Sequence, residues 1–371
     1  MNILLYLYYP FFDTHLAGGV QVWLRNLVSE LMRKDSSIHI SVYCPDSDLH
    51  TYPEDIDVNH VLLDLEQDFL TPKMVYNNLM KIKQAEEKAD LIWIVDRTFP
   101  VNSNKPQLLS LNTICYEREV MSIFQANWKA LVCPSDFVLN QLKDVVDNKE
   151  KIFKIPYYID PIFLKEYPDR IDRVKKYFDY KASNKYILFP HRPDRSKGHE
   201  KAISVLEKLL TVDPSYYLLI PQAPDAKVSN VALENQYISE LKELAQRKGI
   251  AQHVIFHKWV EYGDIPSYYA IGKYTLFFSK LPETFGLTLL NSAVCGTPVI
   301  SFGCGALTEI LPPGGLHKVV KEINEVPEVI LQKTDSARIE SDIVFLKDNY
   351  LIERISEQYL QMFYKLVKGN Y

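Results

Sequence analysis

Two doubly wound α/β domains in tandem, facing a central cleft, are the architecture this sequence predicts. Three observations predict it. Short apolar runs rich in β-formers alternate with helical patterns through the first half. The alternation restarts near residue 186 after a mixed, proline-containing stretch. No short repeat, low-complexity tract or membrane-length apolar span interrupts it. Strand–helix alternation of this kind makes a parallel sheet covered on both faces.

The first-half strands are expected at Asn2–Tyr8, Ile38–Cys44, Val58–Leu63, Asp90–Val95, Gln107–Asn112 and Lys129–Cys133. After Gly18 and Gly19, residues Val20, Trp23, Leu24, Leu27 and Leu31 share one helical face, at spacings of three and four. The segment from Pro156 to Lys185 carries Pro156, Pro161, Pro168 and many charges, and reads as a linker with some helix. Second-half strands are expected at Tyr186–Pro190, Tyr216–Ile220, His253–Phe256, Tyr274–Ser279 and Thr297–Phe302, with a helix from Lys197 that places Ala202, Val205, Leu206 and Leu209 together. The domains are therefore drawn as 1–165 and 166–349. A final helix, 350–368, carries Ile352, Ile355, Tyr359, Phe363 and Leu366 on one face and has the first domain as a candidate packing partner.

Composition bounds the function. The 371 residues are 47% hydrophobic and 24% charged with a net charge of −5, so the chain is globular and lacks the basic field of a nucleic-acid binder. Five cysteines without C-x-x-C or zinc spacing fit free thiols in a reducing cytoplasm. The apolar N-terminus lacks a basic leader and a small-residue cleavage site, which makes it a poor signal peptide. A peripheral membrane contact and the oligomeric state stay open.

Ligands bind outside the carboxyl ends of parallel strands, so the loops after strands carry the search. Leu281–Pro298 follows one such strand. Gly286 opens a helix there, and Gly296 with Pro298 stops it. The helix N-terminus offers unpaired N–H groups to an anion such as phosphate. Glu283 in the preceding loop can accept hydroxyl hydrogen bonds, and Asn291 lies one turn beyond Leu287. The same spacing fits a plain strand–helix unit in which Glu283 favours the helix N-terminus. Pro190–Lys201 places Arg192, Arg195 and Lys197 at another strand–helix turn, with Gly198 permitting close approach. Such cations can neutralise a diphosphate or simply form a solvated basic loop. No Walker loop, G-x-S-x-G elbow or G-x-G-x-x-G fingerprint is present, and the nine histidines show no ligand spacing. Asp46-Ser47-Asp48 has the form of a metal-binding D-x-D but reads as a loop. No metal and no cofactor are expected.

Taken together, these motifs resemble those of family-4 retaining glycosyltransferases, group 1 enzymes of the GT-B fold. The resemblance rests on Gly18-Gly19, on Arg192 with Lys197-Gly198, and on PETFGLTLLNSAVCGTPVISFGCGALTEIL. Ala130–Leu142 and Lys154–Phe163 give looser support. It implies transfer of a hexose from a nucleotide-diphosphate sugar to a hydroxyl of a glycan, lipid-linked or small-molecule acceptor. By the same resemblance Arg192 and Lys197 bind the diphosphate and Glu283 binds the sugar. The backbone of Phe285, Gly286 and Leu287 lies near both, Gly18 and Gly19 approach from the other domain, and Glu309 matches an acidic position. Two departures stand out. Asn291 replaces the second glutamate of the motif, and Asn112, on the acceptor side, stands where a histidine is common. Tyr157-Tyr158 replaces an Asn-Gly pair, and Pro221-Gln222-Ala223 a glycine-rich turn. They keep two alternatives in view, a non-catalytic nucleotide-sugar-binding or partner protein and a nucleotide-sugar epimerase.

Overall fold

The structure is a computed structural model that describes residues 1–11, 19–46, 53–61, 71–97, 103–113, 117–222, 231–332 and 335–369. It divides into two compact units, Met1–Tyr158 with Ile352–Tyr371, and Ile159–Leu351. Both are α/β with parallel sheets.

The first unit runs β1 (Asn2–Tyr6), α1 (Gly19–Lys34), β2 (His39–Cys44), β3 (Asp57–His60), α2 (Pro72–Lys88), β4 (Leu91–Val95), β5 (Gln107–Ser110), α3 (Glu117–Gln125), β6 (Ala130–Cys133), α4 (Asp136–Lys143) and β7 (Ile152–Lys154). The strand order is β3-β2-β1-β4-β5-β6-β7, with every pair parallel. Central strands are buried along their whole length, as β4 shows with all of Leu-Ile-Trp-Ile-Val inside. This is what produces an unbroken apolar run in sequence. The α1 stripe is buried as the spacing predicts, through Trp23, Leu24, Leu27 and Leu31. Thr71 caps α2 by accepting from the Met74 N–H at 3.2 Å, with Pro72 at the first helical position.

The second unit runs α5 (Arg170–Lys175), β8 (Lys185–Leu188), α6 (His199–Leu210), β9 (Tyr216–Pro221), α7 (Val231–Arg247), β10 (Val254–His257), α8 (Ile265–Ala270), β11 (Gly272–Phe277), α9 (Leu287–Val294), β12 (Val299–Ser301), α10 (Leu307–Ile310), β13 (His317–Val319), α11 (Val326–Leu331) and α12 (Ser336–Tyr350). Its strand order is β10-β9-β8-β11-β12-β13, again all parallel. The order reverses between β8 and β11, so the loops after these two strands open side by side at the switch point, where ligands of such sheets bind.

The last helix, α13 (Ile352–Val367), packs in the first unit against α1, β4 and β5. Tyr359 and Phe363 each put their ring centroids 5.3 Å from that of Trp93. The units change over at Tyr158/Ile159 and Leu351/Ile352, not at the 165/166 and 349/350 positions drawn from composition. The reason is packing. Tyr157 and Tyr158 are buried in the first unit, whereas Ile159 bridges Leu351 in the second.

Candidate active site

The turn after β8 is built by its own side chains. The Asp194 carboxylate accepts from the Ser196 N–H at 2.7 Å, and the Lys197 N–H donates to the Asp194 carbonyl at 3.0 Å. Two buried histidines pin the turn from beneath. His191 Nε2–H donates to the Leu276 carbonyl of β11, and His199 Nε2–H donates to the His191 carbonyl. Burial, reinforced by the Lys197 charge, lowers the His191 pKa to about 3, so this imidazole stays neutral. Gly198 then enters α6 at φ +86. A Cβ there would lie 2.7 Å from the Phe278 carbonyl oxygen, so only glycine lets the turn press against the end of β11.

The loop after β11 meets this turn directly. The Lys280 N–H donates to the Ser196 carbonyl at 2.7 Å. Glu283 forms a parallel bridge with Gly305, and the Ala306 N–H donates to the Glu283 carbonyl at 2.8 Å. Gly305, at φ +68, lies so close that a Cβ would be 2.3 Å from the Glu283 carbonyl oxygen. The Glu283 backbone is thus clamped from the β12 side, and its side chain is free to turn toward the β8 loop. There Lys197 Nζ donates to Glu283 Oε1 at 3.0 Å, both side chains being partly exposed. Burial and the Glu283 charge raise the Cys304 thiol above its ordinary range, which keeps this neighbour protonated.

Lys197 and Glu283 are therefore in contact, and Gly286 caps α9 immediately downstream. Arg192 lies on the same turn, 54% exposed. Its guanidinium pairs with Glu234 of α7 at 3.5 Å and Asp194 at 3.8 Å, not with Glu283. Arg195 points elsewhere, bound to Glu240 of α7 and stacked 4.6 Å from the Tyr237 ring. Phe285 is buried with its ring against Tyr350, so only its backbone is available to a ligand. Leu287 opens α9, and Asn291 is half-buried one turn on, with no side-chain hydrogen bond to a described residue. Glu309 lies in α10.

In the first unit, Asn112 follows β5 and is 6% exposed. Its polar atoms are committed inward. The Asn112 N–H donates to Asp96 Oδ1 at 2.6 Å, its amide Nδ2 donates to Asp96 Oδ2 at 3.3 Å, and the Tyr157 hydroxyl donates to Asn112 Oδ1 at 2.9 Å. Asp96, just past β4, is buried with φ +63. Burial pushes its carboxyl up to about 7, against the lowering effect of the Asn112 hydrogen bonds. Beside it, Arg97 Nε donates to Glu119 at 2.8 Å and stacks on Tyr8. Sequence reasoning missed Asp96, although an acid at the end of an all-apolar strand is a visible signal. Tyr157 and Tyr158 fill core space around Trp23. Gly19 begins α1. Gly18, Cys115, Ala223 and, in the D-x-D, Ser47 and Asp48 lie outside the described residues.

Comparison with known proteins agrees with this geometry. Residues 172–336, most of the second unit, match the family of glycosyl transferases group 1. A putative glycosyltransferase, YtcC, of Bacillus subtilis is 23% identical over 291 residues, 74% of this chain and 70% of that protein. A glycosyltransferase from Rickettsia africae superposes with a TM-score of 0.78 at 18% identity, covering 99% and 98% of the two chains. The Anabaena protein HepE, solved in complex with UDP-glucose, superposes at 0.72 with 17% identity, covering 98% and 99%. With both sheets, their order and the switch-point loops in place, the chain has the GT-B fold, and its residues 172–336 match the group 1 glycosyl transferases.

Proposed function

We propose that this enzyme is a family-4 glycosyltransferase that moves a hexose from a nucleotide-diphosphate sugar to an acceptor hydroxyl, with retention and without a metal ion. One observation carries the reading. Lys197 and Glu283, from the two strands that flank the switch point, meet at 3.0 Å beside the helix cap at Gly286. A cation, a carboxylate and free helix N–H groups suit a ligand that is anionic at one end and hydroxylated at the other.

As the bond from the anomeric carbon to phosphate oxygen breaks, its electron pair goes to the departing diphosphate. Lys197, Arg192 and the N–H groups that open α9 stabilise that charge. Glu283 uses one oxygen to hold Lys197, and the other accepts sugar hydroxyls and favours positive charge at the anomeric carbon. Asn112 cannot take a proton, so the acceptor proton passes to the leaving phosphate oxygen as the new carbon–oxygen bond forms on the same face. That shared face is why retention is expected. Asn291 hydrogen-bonds the ribose in place of a carboxylate. HepE's complex makes UDP-glucose the first donor to test, and the unpatterned cysteines support a cytoplasmic setting.

The test is methanolysis of UDP- and GDP-sugars by the purified enzyme, with the methyl glycoside read by NMR. A product with the donor's anomeric configuration supports the proposal, and an inverted product overturns it.

A further inference from the structure

We infer that the second unit carries a separate binding site for a small phosphorylated polyhydroxy compound, in a cleft walled by residues 163–170, α8 and the end of α9. The cleft measures about 480 Å³, within the size range of small-molecule sites. It lies at the C-terminal end of α9, whereas Glu283 and Gly286 precede the N-terminal end.

The charge pattern of its wall is selective. Of the cations between residues 165 and 176, Arg173 pairs with Asp169 and Asp264, Lys176 with Asp264, and Lys175 with Asp172. Lys165 and Arg170, the two that line the cleft, have no ion-pair partner among the described residues. Two uncommitted cations on one wall suit a phosphate monoester. Glu166, also on the wall, is an acceptor for hydroxyls.

An independent observation points the same way. Ser267 lines the cleft and is 1% exposed, yet its hydroxyl has no hydrogen-bond partner among the described residues. Buried polar groups are normally satisfied, and an exception of this kind asks for a ligand or water. The wall is also built to hold its shape. The Asp160 carboxylate accepts from the Ile162 N–H and from the Tyr262 hydroxyl, and the Tyr167 hydroxyl donates to the Ile162 carbonyl at 3.0 Å. Arg173 stacks behind the Tyr167 ring at 4.9 Å. That ring and Phe163 give the cleft an apolar floor suited to the face of a sugar.

Calorimetric titration of the full chain with glucose 6-phosphate tests the site. Saturable binding is expected, at least ten times tighter than that of inorganic phosphate. Binding should weaken at least tenfold in Lys165→Ala/Arg170→Ala and severalfold in Ser267→Ala, and stay unchanged in Lys197→Ala. Because Ser267→Ala removes an unpaired hydroxyl, its ligand-free melting temperature should not fall. Binding that ignores the Lys165/Arg170 pair, that disappears in Lys197→Ala, or that is no tighter than phosphate alone overturns the inference. The Lys197→Ala arm separates failure here from failure of the catalytic reading.

Discussion

Gly305→Ala is the perturbation that reaches Glu283 without touching its side chain. The added methyl carbon would sit 2.3 Å from the Glu283 carbonyl oxygen and 2.6 Å from its nitrogen, where ordinary contact begins at 3.4 Å. Both opposing atoms are backbone, so the Glu283 segment has to retreat by about 1 Å, a misplacement worth on the order of 10²-fold in rate at a reacting centre. The substitution also forces alanine to φ +68, which costs ~1–2 kcal/mol, and the overlap adds roughly 1–3 kcal/mol. Gly249→Ala supplies the control. It carries nearly the same strain at φ +70, with nothing within 4 Å of the new carbon. Gly249→Ala should therefore melt a few degrees lower, at about 2–4 °C per kcal/mol for a unit of this size, and turn over normally. Gly305→Ala should melt lower still and lose about a hundredfold in kcat, measured as nucleotide release from the preferred donor. Equal kcat in the two variants would refute the claim that the Glu283 backbone position sets the rate.

Replacing Arg192 or Lys197 by alanine should lower kcat by about 10²–10³-fold, the loss typical of removing a charge-stabilising donor, and near-normal turnover in both would remove the diphosphate assignment. Asn291→Glu should change donor affinity or nucleotide preference in a competition assay with UDP and GDP, and an unchanged profile would end the ribose role given to Asn291. Phe363→Ala should destabilise the first unit by ~3–5 kcal/mol, since Phe363 is fully buried on α13 against Trp93, and denaturant unfolding followed by circular dichroism reads this. Acid should act on the second unit, where burial lowers His191 to about 3 and His199, His257 and His317 each to about 4. The unfolded chain protonates these rings near 6.5, so their neutral-state stability is present above that pH and lost as pH falls from 6.5 toward 4. Trp259 fluorescence should report earlier acid unfolding of this unit, and His317→Asn should shift that transition to lower pH.

Most of the fold is legible because parallel strands buried on both faces write themselves as apolar runs, as β1, β4 and β11 do. The strands that reasoning overlooked, β7 and β13, have three residues each with only the first buried, so their sequences carry no run to find. Strand ends shifted for a related reason. The run Gln107–Asn112 stops as a strand at Ser110, and Asn112 instead serves as a partner for Asp96. The α9 boundaries were readable from Gly286 and Gly296, since glycine chemistry at helix ends is local. Pairing between the Lys197 turn and Glu283 could be anticipated only through the strand order. What the sequence hides is contact between distant residues, such as Glu234 on Arg192 or Gly305 beneath Glu283, because neither residue type nor spacing announces them.

The loops after β4 and β5 of the first unit and those after β8 and β11 of the second differ in how their polar groups are spent. In the second unit the ion pair of Lys197 and Glu283 is partly exposed and leaves one carboxylate oxygen and two ammonium hydrogens for a ligand. In the first unit the carboxyl of Asp96 accepts two hydrogen bonds from Asn112, whose own carbonyl is taken by Tyr157, and one from the Thr113 backbone. An amide at residue 112 satisfies both neighbours at once, donating to the acid and accepting from the phenol. An imidazole could also donate through one nitrogen and accept through the other, but not with the same compact, neutral geometry at every pH. With Asp96 poised near 7, a titrating neighbour would couple its proton to the acid. Asn112 has no titrating proton of its own to couple to Asp96, while the Glu119 charge still acts on the acid and raises it further.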